Sequence, residues 1–109
     1  MSITTYAVTT SVGNAYVSSG NTAVTWMSIT NYGGTDTTAN VWVVPSGSSA
    51  GNTNIVLASL QLTGNGGVDG DTYQIYNAGE KLLLGNGDSI QINANNNANL
   101  TVVTSYTTI

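Results

Sequence analysis

The chain has 109 residues and a formal net charge of −4, with only 6% of its residues charged against 40% hydrophobic. It contains no Cys, no His and no Phe, and Lys81 is its one basic side chain. That excludes disulfides, thiolate chemistry and zinc–thiolate sites. It also argues against nucleic acid or an anionic membrane as partner, because neutralising phosphates takes several cations.

The length suits one domain. A chain of this size buries roughly two-thirds of its unfolded surface, so a core without staples is possible. No run approaches the ~18 apolar residues of a membrane-spanning helix. The opening Met-Ser-Ile-Thr-Thr-Tyr lacks a basic region and an apolar stretch, which predicts no signal peptide and synthesis in a cytoplasm.

In chain order, Thr5–Thr9 reads as a short strand with Tyr6 and Val8 on one face. Ser11–Asn14 is a break, Ala15–Ser18 a weak segment and Ser19-Gly20-Asn21 a turn. Residues 1–21 therefore read as an N-terminal strand or arm, and residues 22–109 as a single β-sandwich domain. Thr22–Asn31 and Ala39–Pro45 read as a hairpin around the loop Tyr32–Asp36. Centred on Gly34, its register pairs Met27 with Val41, Ile29 with Ala39, Trp26 with Trp42 and Val24 with Val44. Both faces of this ribbon are apolar, whereas an antiparallel sheet normally keeps one face wet. Met27, Ile29, Val41 and Val43 suit the core. Val24, Trp26, Trp42 and Val44 then predict an interface between copies, with an arm carrying Tyr6, Val8 and Tyr16 folded over the same face as the alternative.

Pro45 stops the strand by removing a donor, and Ser46–Asn52 is a loop. Ile55–Leu62 reads as a strand, although locally a helix is possible. Gly64–Gly70 is a second loop. From Tyr73 to Ala94 come a strand over Tyr73–Tyr76, a break at Asn77–Gly79, the apolar Leu82–Leu84, a turn at Gly85–Asp88 and the alternating Ser89–Ala94. A three-residue loop, Asn86–Asp88, would pair Leu84 with Ile90 and Leu82 with Ile92. A two-residue turn at Asn86-Gly87 would set Lys81 against Ile92. A one-residue slip flips every side chain, so burial favours the first. After a turn at Asn95–Asn97, Leu100–Tyr106 closes the chain. Seven to nine short strands between Gly, Asn and Ser loops predict an all-β antiparallel sandwich, jelly-roll or Ig-like. Its expected core is Met27, Ile29, Val41, Val43, Leu60, Leu62, Ile75, Leu84, Ile90, Ile92, Leu100 and Val102.

No His or Cys is present to serve as base or thiolate for nucleophilic catalysis, and the single Lys has Glu80 as its neighbour, so no enzyme and no cofactor are expected. Asp69-Gly70-Asp71, joined by Asp36 or Asp88, has the oxygen chemistry of a calcium loop. The same residues simply make turns, which is the favoured reading. Trp26, Trp42, Tyr32 and Tyr76 have the makings of a sugar-stacking platform, weighed against core or interface packing.

Val44-Pro45-Ser46-Gly47, the apolar strand after it, the run AGEKLLLGNGDSIQINA and the closing TVVTSYTTI carry a likeness. Together they resemble small β-sandwich virion structural proteins of tailed bacteriophages, including those that infect cyanobacteria. In that group a Val-Pro-Ser/Gly step follows a strand, and Leu-x-x-Gly-Asp-x-Ile marks a late hairpin. Here Leu84-Gly85-Asn86-Gly87-Asp88-Ser89-Ile90 matches the latter with one residue more. The likeness runs from about Thr22 to the C-terminus, and its turn and core motifs are specific for fold more than for role. It implies a non-enzymatic capsid decoration or cement-type subunit that self-assembles, with a trimer favoured. Its other contact would be a virion protein such as the major capsid protein, and its location the virion after synthesis in the host cytoplasm. A tail- or fibre-associated adhesin or carbohydrate-binding module is the alternative.

Overall fold

Branched side chains alternating with Thr, Ser and Asn favour a pleated, half-buried backbone, and Gly and Asn break it into short pieces. The computed structural model describes residues 2–64, 70–75, 81–97 and 99–109. Among these residues the chain forms nine strands and no helix. They are β1 Ser2–Ala7, β2 Gly13–Val17, β3 Thr22–Asn31, β4 Thr37–Val44, β5 Ile55–Leu62, β6 Thr72–Ile75, β7 Leu82–Leu84, β8 Ser89–Ala94 and β9 Leu100–Thr108. Among the described residues no helix is long and apolar enough to cross a membrane.

The strands form two antiparallel sheets. The first has the order β1-β9-β3-β6, with β7 also paired to β3, and the second has the order β2-β8-β4-β5. Four sets of pairings, β1 with β9, β2 with β8, β3 with β6 and β7, and β4 with β5, are those of one long hairpin whose tip lies between β4 and β5. Rolled up, the ribbon gains β3 with β9 and β4 with β8. This winding is a jelly roll, which decides between the two sandwich types expected.

Two expected hairpins are not formed. β3 and β4 lie in different sheets, so the loop after Asn31 crosses the sandwich and the register centred on Gly34 does not exist. β7 and β8 are likewise in different sheets. Leu84 faces Thr22 and Leu82 faces Val24, whereas Ile90 sits between Tyr16 and Val43, and Ile92 between Gly13 and Val41. The turn before β8 is real: the Asp88 amide donates to the Gly85 carbonyl at 3.1 Å, and Gly87 has φ 85°. A tight turn reverses the chain whether it joins neighbours in one sheet or arches between two. The local signal is therefore the same for both.

The core survives this change of partners. Nine of the twelve expected core residues are buried, and Val43, Leu60 and Ile75 pack against them half-buried. Tyr6, Val8 and Tyr16 also belong to the core region. The stretch before Thr22 thus supplies one edge strand to each sheet instead of covering an outer face. A bulge between Val24 and Trp26 shifts the alternation by one residue. Val24 and Met27 consequently both point inward and are fully buried. Across the two sheets the rings of Tyr16 and Tyr106 meet with centroids 4.5 Å apart and planes tilted by 38°, an arrangement aromatic pairs favour.

One polar atom in this core stands alone. Thr104, on β9 between Thr4 and Met27, is 0% exposed, and its hydroxyl has no hydrogen-bond partner among the described residues. Thr104→Val keeps the shape and removes the cost of desolvating that hydroxyl. Urea unfolding should show a gain of about 1 kcal/mol. A loss of stability would mean that the hydroxyl is bonded in solution.

Candidate functional site

None of the nine strands carries a charged side chain. Among the described residues, Asp36, Asp71, Lys81 and Asp88 all lie in connections. The carboxylates are engaged with backbone, and this settles what they do locally. Asp88 accepts the Ser46 amide at 2.8 Å through Oδ1 and the Gly85 amide at 2.8 Å through Oδ2. The Ser18 amide donates to the Asp88 carbonyl, and Asn86 Oδ1 accepts the Gly20 amide. One turn therefore ties the β2–β3 turn and the end of β4 to the same end of the sandwich.

At the other end, Asp71 Oδ2 accepts the Thr63 amide at 2.9 Å and Asp36 Oδ1 accepts the Gly64 amide at 3.1 Å. The fold does bring Asp36 and Asp71 to one dipeptide, while Asp88 lies at the opposite end and Asp69 falls outside the described residues. No group of three or more His, Cys, Asp or Glu gathers among the described residues. Asp88 closes its own turn on the Gly85 amide, whereas Asp36 and Asp71 tie separate loops together through the Gly64 and Thr63 amides.

Hydrogen bonds from the Ser46 amide and then the Gly85 amide hold the Asp88 carboxyl below its ordinary 3.8. A depressed folded value means that the contribution is complete above the ordinary value and is lost as pH falls through the folded one. The melting temperature should therefore fall as pH drops below about 4, and Asp88→Asn should lack part of that fall. Equal acid sensitivity in both proteins would remove Asp88 as the cause.

The four residues expected as an interface are not brought together. Val24 is in the core and Val44 is 1% exposed. Trp26 and Trp42 are half-buried on outward faces of different sheets, because Trp26 shares its face with Ser105, and Trp42 with Gln91. The expectation failed with the register that produced it, and a ring of copies built on that patch has no such face to use. The sugar-stacking platform is not assembled from these residues either. The two Trp residues lie on opposite sides of the sandwich, Tyr32 sits in the loop after β3, and Tyr76 lies outside the described residues.

Sequence reading passed over one pentapeptide. Gly47-Ser48-Ser49-Ala50-Gly51 spells the Gly-x-Ser-x-Gly pattern of a nucleophile elbow. That elbow needs a sharp strand-to-helix turn and a His partner. Here the segment connects two strands of one sheet, and the chain has no His.

What the fold does build is an outer face on the first sheet whose strands carry no charge. The registers lay its side chains out in rows. Thr107, Ala23 and Leu83 form one row, and Ile3, Ser105 and Trp26 the next. Thr5, Val103, Ser28 and Gln74 follow, then Ala7, Thr101, Thr30 and Thr72. Ile3 and Leu83 are 70% and 66% exposed. The outer face of the second sheet is amide-rich instead. Asn40 Nδ2 donates to Asn93 Oδ1 at 3.1 Å, Asn40 Oδ1 accepts the Ser59 amide, and Gln91 donates to Ser89.

Compared with known proteins, the chain matches no family model, no curated protein and no solved structure.

Proposed function

We propose that this protein is a non-enzymatic structural subunit of a bacteriophage virion, a capsid decoration or cement-type protein that assembles with copies of itself and with a capsid protein. The observation that carries the reading is the uncharged outer face of the first sheet, hydroxyl-rich and bearing the exposed Ile3 and Leu83. Charged side chains on strands and edges are the usual protection against unwanted association, and these strands have none. A subunit whose working state is packed against other protein does not need them. The jelly roll is a fold that viral capsid proteins share with lectins and other families, so it is compatible with the role without deciding it. The likeness of the Val-Pro-Ser-Gly step and the Leu84–Ile90 segment to phage virion proteins supplies the setting.

The adhesin alternative receives less support, because the aromatic residues that would stack on a sugar are split between two faces. Particles banded on a density gradient should retain the chain, and an antibody against it should label their heads. Particles free of the chain would overturn the virion reading; labelling confined to tail tips would favour the adhesin.

A further inference from the structure

Three of the four sheet edges are interrupted. β2 has an irregular register between Asn14 and Tyr16. β5 shifts register twice against β4, and its Ser59 adopts φ 53°. Among the described residues the edge beyond β3 is made of two short pieces, β6 and β7, of four and three residues. Bulges and short pieces of this kind blunt an edge against pairing with another chain. β1 differs: it runs in unbroken register with β9 over its whole length, and like the other strands it has no Pro and no charge. Among the described residues no strand lies on its outer side.

We propose that the open edge of β1 is where a second copy of this chain docks, strand against strand, in antiparallel pairing about a two-fold axis at Thr5. This names a contact for the self-assembly inferred above and rests on that part of the reading. The Val8 amide donates to the Leu100 carbonyl at 3.1 Å, continuing the ladder in which Tyr6 faces Val102 and Thr4 faces Thr104. The even-numbered residues of β1 therefore bond to β9, and the backbone N–H and C=O groups of Ile3, Thr5 and Ala7 point to the open edge. A two-fold axis at Thr5 sets Thr5 against the second copy's Thr5, and Ile3 against the second copy's Ala7. That pairing closes about six backbone hydrogen bonds.

The side chains agree with it. Thr beside Thr is a favourable cross-strand pair, Ile beside Ala sets two apolar side chains together, and all project from the uncharged outer face. A two-fold axis at Thr5 sets that residue against its own copy, so a charge there would meet its like. The first 35 residues carry no charged side chain. A second copy satisfies backbone and side chains together, and the outer face then continues across the joint from one copy to the next.

Sedimentation of the full chain tests the contact. Wild type should run at twice its 11.2 kDa. Thr5→Lys should run as a folded monomer, with the dimer weakened at least about tenfold by like charges at the axis. A mixture of Thr5→Lys and Thr5→Glu should recover the dimer. Hydrogen exchange needs no variant: the amides of Ile3, Thr5 and Ala7 should slow as protein concentration rises, while those of Thr4 and Tyr6 should not change. A wild type still monomeric at about 1 mM, or those three amides indifferent to concentration, overturns the proposal. An oligomer that Thr5→Lys leaves intact overturns the β1 contact while self-assembly stands. A β1 dimer whose antibody labels no particle overturns the virion reading alone.

Discussion

Asn31→Ala is expected to lower the unfolding free energy by about 3–4 kcal/mol, several times the effect of an ordinary surface change. Asn31 ends β3 and is 0% exposed. Its Nδ2 donates to the Leu62 carbonyl at 3.0 Å and to the Thr35 carbonyl at 2.9 Å, and its Oδ1 accepts the Gly33 amide at 3.0 Å. One side chain thus ties the first sheet to the end of β5 in the second and shapes the loop that crosses between them. Removing it leaves three backbone groups to find new partners, and each buried group left unpaired costs about 1–3 kcal/mol. In a domain of this size the melting temperature should fall by about 12–24 °C. Urea unfolding would check the figure, and a loss below about 1 kcal/mol would mean that water replaces the amide without penalty.

Ile90→Ala should cost about 3–4 kcal/mol. Ile90 lies on β8, between β2 and β4, and is 0% exposed. Its cross-strand neighbours are Tyr16 and Val43. Shortening it opens a cavity in the middle of the second sheet, where strands on both sides limit collapse. Leu83→Ala is the matched control. Leu83 is 66% exposed on the outer face beside Ala23, and its loss should stay within about 0.5 kcal/mol. A large loss at Leu83 with a small one at Ile90 would mean that the strands face the opposite way.

These two residues show what the sequence did and did not make legible. Alternation revealed that Ile90, Ile92, Leu84, Met27 and Ile29 point inward, because burial depends on parity along one strand. It could not reveal which strand lies alongside, since Leu84 and Ile90 reach the same core from opposite sheets. The bulge after Val24 hid a core residue, because a shift of one position makes an inward Val look like a companion of the outward Trp26. Asn31 was invisible as a structural centre. A buried Asn at a strand end spells the same as an exposed one in a loop, and only the positions of Leu62, Thr35 and Gly33 give it its role. The interface expected at Val24, Trp26, Trp42 and Val44 failed for the pairing reason, whereas the lack of charge on every strand was readable in the composition.

Imaging intact particles by electron cryomicroscopy tests the central claim most directly. The account predicts repeated density on the head surface that fits a two-sheet sandwich of 39 × 27 × 18 Å, in contact with other subunits and absent from particles made without this protein. Particles whose maps, with and without the protein, are identical at every surface would contradict it.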